Sequence, residues 1–207
     1  MRDRVNQTTE LISVSSAGVK GNHHSGYGKF SISRDGRFIV FESQASNLVS
    51  NDTNSTSDIF VRDRKNNTTV RINVTPTGVE ANNYSYAPSM SCDGSVISFV
   101  TYSTNLVTGD INGKRDIIVI DRIGGNYMKN ITMNADGDSD GATNVSCDGS
   151  TIVFPSWATN LVPNYATTNG GAFAYSVNSG DMEVITQSTT GTDGGHGSSL
   201  SLSGDGR

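Results

Sequence analysis

Two short acidic loops carry the residue types that bind metal ions. They read DTNSTSD (52–58) and DINGKRD (110–116), and both follow the pattern D-x-N-x-x-x-D. Ca²⁺ prefers carboxylate and amide oxygens, so the pattern predicts calcium, although the distal bidentate Glu of a full calcium loop is missing. Asp and Asn also cap turns by bonding their own backbone, and that interpretation stays open. The candidate ligands are Asp52, Asn54, Asp58, Asp110, Asn112 and Asp116.

Histidine and tyrosine side chains cluster in loops that precede short apolar runs. His is a common metal ligand, and Tyr offers an aromatic face to a sugar or a peptide. Loops are also the usual place for binding residues, while ordinary loop packing is the alternative. The candidate binding residues are His23, His24, Tyr27, Tyr84, Tyr86 and His196.

Catalytic motifs are missing from the sequence. It contains no G-x-S-x-G elbow, no H-E-x-x-H and no Gly-rich phosphate loop. A carboxylate pair for glycoside hydrolysis is left open, because acidic residues are plentiful. We therefore predict a protein that is not an enzyme.

An Asp-Gly pair recurs along the chain and reveals an internal repeat. The aspartates are Asp35, Asp93, Asp148 and Asp205, at steps of 58 (93 − 35), 55 (148 − 93) and 57 (205 − 148). This period is typical of repeat architectures. It divides the chain into a partial unit over 1–29, units over about 30–87, 88–142 and 143–198, and a partial unit over 199–207.

The apolar runs and turn residues of each unit predict four antiparallel strands. Asp-Gly between apolar runs is a strong hairpin signal, and runs such as FIVF suit strands covered on both faces. The fourth run alternates: Val70, Ile72 and Val74 face one way, and Arg71 and Asn73 the other. This alternation predicts a half-exposed outer strand.

Stacked four-stranded sheets that cover one another form a β-propeller. The pattern S-x-S-x-D-G-R-x-I-x-F-x-S, followed by N-L-V and D-[IF]-[IF]-V-x-D-R, resembles the TolB-like, WD-type β-propeller repeats of bacterial proteins. The resemblance implies an all-β propeller. It also implies a place among binding scaffolds, envelope proteins or propellers beside peptidase domains, often periplasmic or secreted.

Composition narrows the possible partners. The net charge is −5 with no basic stripe, which argues against nucleic acid and anionic membranes. No apolar run approaches the ~20 residues of a membrane-spanning helix, and no signal peptide is recognisable, so the compartment stays open.

Cys92 and Cys147 occupy equivalent places in successive units. We expect such places to lie too far apart for a disulfide, which predicts two buried free thiols.

Three complete units flanked by two partial ones predict an open arc with exposed apolar edges. Such edges favour aggregation. We therefore predict a head-to-tail homo-oligomer, most simply a dimer, with a small four-bladed monomer or a piece of a longer protein as alternatives. The predicted function is a non-enzymatic scaffold for a protein or glycan partner. The alternative is a propeller fragment of a carbohydrate-active or peptidase-associated protein.

Overall fold

Three four-stranded antiparallel sheets follow one another along the chain. The structure is a computed structural model that describes residues 1–123, 127–163, 170–186, 200–203 and 206, apart from the side chain of Tyr27. In each sheet, neighbours in sequence are neighbours in space. The first sheet contains β1 (Ser25–Ile32), β2 (Phe38–Ser43), β3 (Asp58–Asp63) and β4 (Thr68–Arg71). The second contains β5 (Ser85–Met90), β6 (Val96–Thr101), β7 (Asp116–Asp121) and β8 (Tyr127–Asn130). The third contains β9 (Asn144–Val145), β10 (Thr151–Ser156), β11 (Gly171–Ser176) and β12 (Met182–Val184).

The middle strands of the sheets are buried on both faces, as their continuous apolar runs predict. In the first sheet Phe41 pairs with Phe60, and in the third Phe154 pairs with Phe173. Val40 and Val61 pack with Ile97 and Phe99 of the second sheet. A second cluster joins the second sheet to the third in the same way. Each sheet therefore gains its stability by covering its neighbour, which confirms the all-β fold.

The Asp-Gly turns between the first two strands of each sheet share one hydrogen-bond pattern. Asp35 Oδ1 accepts from Ser33 Oγ at 2.6 Å and from the Arg37 backbone N–H at 2.9 Å. The same contacts recur at Asp93 and Asp148. Gly94 has a φ of 77°, and a Cβ there would lie 2.8 Å from the Phe38 ring of the preceding sheet. Glycine is therefore required both by the turn and by the packing of one sheet on the next.

Consecutive Asp-Gly turns are joined by backbone hydrogen bonds, which we call the turn ladder. The Arg34 N–H donates to the Cys92 carbonyl at 2.7 Å, and the Cys92 N–H donates to the Cys147 carbonyl at 2.8 Å. Cys92 and Cys147 form a disulfide with their Cα atoms 4.5 Å apart. The prediction of two free thiols is therefore wrong. Equivalent residues of neighbouring units meet because the first strands of the sheets, here β5 and β9, converge at these turns.

The Asp-Arg pairs at the ends of the third strands have a structural role. Arg64 Nη1 donates to the Gly36 carbonyl at 2.8 Å, and Arg122 Nη1 donates to the Gly94 carbonyl at 2.7 Å. Each arginine thus fastens the Asp-Gly turn of its own sheet.

The fourth strand of the first sheet buries its polar side. Val70 is 47% exposed, whereas Thr69 and Asn73 are buried and Arg71 points inward. The strand ends at Arg71, and the predicted alternation does not continue beyond it, because Ile72 packs against the core cluster. Hydrogen bonds from Arg71 and Asn73 to Asp58 make the burial of these polar side chains favourable.

A lysine of β1 links the first sheet to the start of β9 in the third sheet. Lys29 Nζ donates to the Thr143 carbonyl and, at 2.7 Å, to Asn144 Oδ1. Burial lowers the pKa of Lys29.

In the part of the chain that the structure describes, no helix is long and apolar enough to cross a membrane.

Candidate functional site

A cleft of about 450 Å³ opens between the first two sheets. We call it the aromatic cleft, and it is lined by His24, Glu42, Ser43, Gln44, Ser57, Tyr84 and Tyr86. Three predicted binding residues, His24, Tyr84 and Tyr86, therefore meet in one place.

The first wall of the aromatic cleft is fixed by backbone contacts of His24, the residue before β1. Its carbonyl accepts from the Gln44 N–H at 2.9 Å and from Ser43 Oγ at 3.1 Å. The His23 ring lies 4.9 Å from the His24 ring in an edge-to-face arrangement. The end of β2 thus positions His24 in the wall of the cleft, and the His23 ring packs against it.

The second wall is shaped by an irregularity in β5. The pairing of β5 with β6 shifts register between Tyr86 and Ser89, and Ala87 adopts a positive φ of 51°. The Ala87 N–H donates to Glu42 Oε2 of the first sheet at 3.2 Å. A β-bulge re-aims backbone groups in this way, and here it joins the two walls.

Three tyrosines form an aromatic cluster on the second wall. The ring of Tyr84 lies 5.7 Å from that of Tyr86 and 5.0 Å from that of Tyr102. The Arg115 guanidinium lies over the Tyr102 ring at 5.5 Å. Ring distances in this range are favourable for aromatic pairs, so the cluster presents a rigid apolar surface.

Acidic side chains of the next loop hold this cluster. The Tyr86 hydroxyl donates to Asp140 Oδ1 at 2.5 Å, and Asp140 also pairs with Arg115. Arg115 Nη2 contacts Asp138 Oδ2 at 2.9 Å. Burial, followed by the hydrogen bond to Asp140, raises the pKa of Tyr86. Tyr86 therefore stays a neutral hydrogen-bond donor at physiological pH.

Sequence reasoning missed Arg115, Glu42 and Tyr102. The loop over 135–144, which holds Asp138 and Asp140, differs between units, and that variation is a signal for a binding face. Arg115 lies inside the second acidic loop, at a position to which the calcium pattern assigns no role. Of the other predicted binding residues, Tyr27 belongs to β1 but its side chain lies outside the described structure, and His196 lies outside the described residues.

The first acidic loop (52–58) surrounds an arginine. Arg71 Nη1 lies 3.2 Å from Asp52 Oδ1 and 3.0 Å from Asp58 Oδ2. It also lies 3.0 Å from Glu80 Oε2, and Asn54 Nδ2 donates to Asp58 Oδ1 at 3.1 Å. Burial and the neighbouring Asp58 raise the pKa of Asp52 to about 6.

The second acidic loop (110–116) has the same frame without the arginine. Asn112 Nδ2 donates to Asp116 Oδ1 at 3.2 Å, and Asn130 Nδ2 donates to Asp110 Oδ2 at 3.0 Å. Burial and the neighbouring Asp116 raise the pKa of Asp110 to about 6. In the third unit Gly171 replaces the last Asp of the pattern. Tyr165, in place of its first Asp, lies outside the described residues.

Solved structures with the same architecture are β-propellers. Successive four-stranded antiparallel sheets that pack face to face define a propeller-type domain. TolB from Acinetobacter baumannii is similar with a TM-score of 0.52 and 20% sequence identity, over 89% of this chain and 36% of that one. The β-propeller domain of the Trilobed protease from Pyrococcus furiosus is similar with a TM-score of 0.50 and 15% identity, over 78% of this chain and 42% of that one.

The fold is that of the TolB-like β-propellers. This chain spans less than half the length of either of these two similar structures. No protein-family profile matches the sequence, and no curated protein matches it.

Proposed function

We propose that this chain is a non-enzymatic β-propeller scaffold that binds its partner in the aromatic cleft. The observation that carries the proposal is the meeting of Tyr84 and Tyr86 with His24 and Glu42 between two sheets. Binding sites are concave, mostly apolar and provided with a few polar groups that fix orientation. This cleft combines those properties on a rigid sheet frame.

The chemistry of the cleft suits a glycan or an extended peptide segment of a protein. The exposed Tyr84 ring offers a stacking face, and Glu42 and Gln44 line the opposite wall beside it. Tyr residues give large contact areas at low entropic cost and are frequent at binding hot spots.

A glycan array and an immobilised peptide library test this proposal. We expect Tyr84→Ala to weaken binding of a retained ligand about tenfold, because truncating a central aromatic costs more than ~1 kcal/mol. Tyr127→Ala is the matched control, because Tyr127 is an exposed tyrosine of the outer strand β8. Equal binding by both variants and the unaltered protein would contradict the assignment of the cleft.

The second candidate function is the propeller portion of a peptidase-associated or carbohydrate-active protein. The similarity to the propeller domain of the Trilobed protease supports it. Incubation with a panel of glycosidic and peptide substrates separates the two proposals, since turnover of any substrate would end the scaffold interpretation.

We also infer a homo-oligomer, most simply a head-to-tail dimer. The face of the first sheet turned away from the second sheet is covered in part by the N-terminal segment, which packs through Ile12. Beside that segment Phe30 is 63% exposed and borders an apolar groove with Ile32 and Phe41. Ile39 and Phe41 on this face correspond to Ile97 and Phe99, by which the second sheet packs on the first. A sheet of a second copy offers the complementary surface.

Light scattering at micromolar concentration tests the assembly. We expect twice the monomer mass, and Phe30→Glu is expected to return the protein to a monomer because it places a charge in the apolar contact. Val70→Glu, on the exposed side of β4, is the control. A clean monomer for the unaltered protein would contradict the dimer.

The compartment that we propose is an oxidising one. Disulfides persist in periplasmic or extracellular environments and are rare in reducing ones. The bond between Cys92 and Cys147 supports this placement.

A further inference from the structure

The first and second acidic loops have one geometry but different counter-charges. In both loops the Asn side chain donates to the last Asp, at 3.1 Å from Asn54 and 3.2 Å from Asn112. The last Asp begins the third strand of its sheet in each case. The two loops can therefore be compared position by position.

In the first loop a guanidinium supplies the positive charge. Arg71 Nη1 bridges Asp52 and Asp58, and the arginine side chain is only 7% exposed. Two buried carboxylates are thus compensated by a cation from the fourth strand of the same sheet.

In the second loop an asparagine takes the position of Arg71. Asn130 lies at the end of β8 and contacts Asp110, as Arg71 at the end of β4 contacts Asp52. Its amide carries no charge. Asp110 and Asp116 are 6% and 1% exposed. Two carboxylates therefore lie buried side by side, and among the described residues the side chains that donate hydrogen bonds to them are all uncharged.

Each of these carboxylates has one oxygen without a hydrogen bond. Among the described residues, no donor reaches Asp110 Oδ1 or Asp116 Oδ2. A buried charged oxygen without a partner is costly, and buried carboxylates are normally paired or coordinate a metal. The two unpartnered oxygens belong to the two residues that would otherwise repel each other.

We propose that the second unit binds a divalent cation of the calcium type between Asp110 and Asp116, at the position that the Arg71 guanidinium holds in the first unit. A charge of +2 balances two carboxylates, and hard carboxylate oxygens are the ligands that Ca²⁺ prefers. The described residues contain no group of three or more His, Cys, Asp or Glu side chains able to hold a metal. Two protein carboxylates with water in the remaining positions give a weak site, in the range of ~10⁻⁴–10⁻³ M.

Titration of the EDTA-treated protein with CaCl₂ tests the proposal by calorimetry and thermal unfolding. We expect one calcium per chain and a rise in melting temperature of about 5 °C at calcium concentrations well above the Kd. NaCl at equal ionic strength is the control for screening. The absence of heat and of a thermal shift at ~10 mM calcium, well above such a Kd, would overturn the proposal.

Two variants identify the site. Asn130→Arg provides the guanidinium of the first unit, so we expect it to fold and to lose the calcium response. Asp110→Asn removes one ligand and is expected to lose the response as well. Asp52→Asn is the matched control in the first loop and should keep one calcium per chain. A calcium response that persists in both Asn130→Arg and Asp110→Asn would overturn the assignment.

Discussion

Replacing Arg71 by Asn is expected to lower the free energy of unfolding by about 3–5 kcal/mol near neutral pH, because removing one partner leaves buried charges uncompensated. The guanidinium contacts Asp52, Asp58 and Glu80 within 3.2 Å. Chemical denaturation at neutral pH measures the loss. Arg2→Asn, the same substitution at an exposed arginine, is the control and should change stability by less than ~0.5 kcal/mol.

The loss caused by Arg71→Asn should depend on pH. Asp52 has a pKa of about 6 in the folded protein, against an ordinary value of 3.8, so folding takes up a proton between these values. This group's contribution is most favourable below about pH 4 and diminishes as the pH rises through about 6. Arg71 lowers the pKa of Asp52, whereas burial, Asp58 and Glu80 raise it. Without the guanidinium the pKa rises further, and the stability deficit of the variant should be smaller at about pH 5 than at about pH 7.5.

Acidic conditions below this range introduce an opposite effect from Asp63. The hydrogen bonds from Arg37 hold the pKa of Asp63 at about 2. The stability from that pair is present above pH ~4 and is lost as the pH falls toward ~2. A comparison confined to about pH 5–8 avoids this effect of Asp63. Asp110, whose pKa is also about 6, contributes equally to both proteins and cancels in the difference between Arg71→Asn and the unaltered protein. An equal deficit for Arg71→Asn at both ends of that range would contradict the electrostatic explanation.

Removing the disulfide is expected to produce the second large effect. The double variant Cys92→Ser, Cys147→Ser should lose about 2–4 kcal/mol of unfolding free energy, because the cross-link closes a loop of 55 residues and restricts the unfolded chain. Thermal unfolding with and without dithiothreitol measures the effect. The reductant should destabilise the unaltered protein and leave the double variant unchanged.

Alkylation followed by mass spectrometry counts the thiols directly. We expect no reactive thiol before reduction and two after it. Two thiols that are alkylated without reductant, together with a melting temperature insensitive to dithiothreitol, would contradict the disulfide. Trapping thiols in the source cells with the same reagent tests the oxidising compartment.

Local sequence patterns predict most of the fold because strand pairing here is local. The FIVF run and the Asp-Gly turn at Asp35 specify a hairpin between neighbouring strands. The structure has that hairpin, with regular pairing next to the turn and a register shift farther along β1, before Phe30. The propeller-type stacking follows, since sheets that are apolar on both faces need neighbours. Contacts between residues of different units were harder to predict. The pairing of Cys92 with Cys147 depends on how closely the first strands of two neighbouring sheets approach each other. The spacing of residues within one unit gives no information about that distance.

The candidate site was only partly predictable for the same reason. His24, Tyr84 and Tyr86 were identifiable as loop aromatics and histidines, yet their meeting depends on the packing of two sheets. The alternation along β4 does not reveal which side is buried, because polar side chains become good interior residues when a neighbouring loop supplies charges. Arg71 is an example, since its contribution to stability comes from ion pairs with Asp52 and Asp58 of the loop and not from contacts within its own strand.

The turn ladder has a consequence for how such a chain can change length. The bonds from Arg34 to Cys92 and from Cys92 to Cys147 join the same position of consecutive units, so each junction repeats the previous one. A duplicated repeat unit of one whole period would therefore form the same backbone hydrogen bonds with the units before and after it. Insertions of any other size would displace the donor from its acceptor. Copy number can thus vary in whole blades while the contact between blades is conserved.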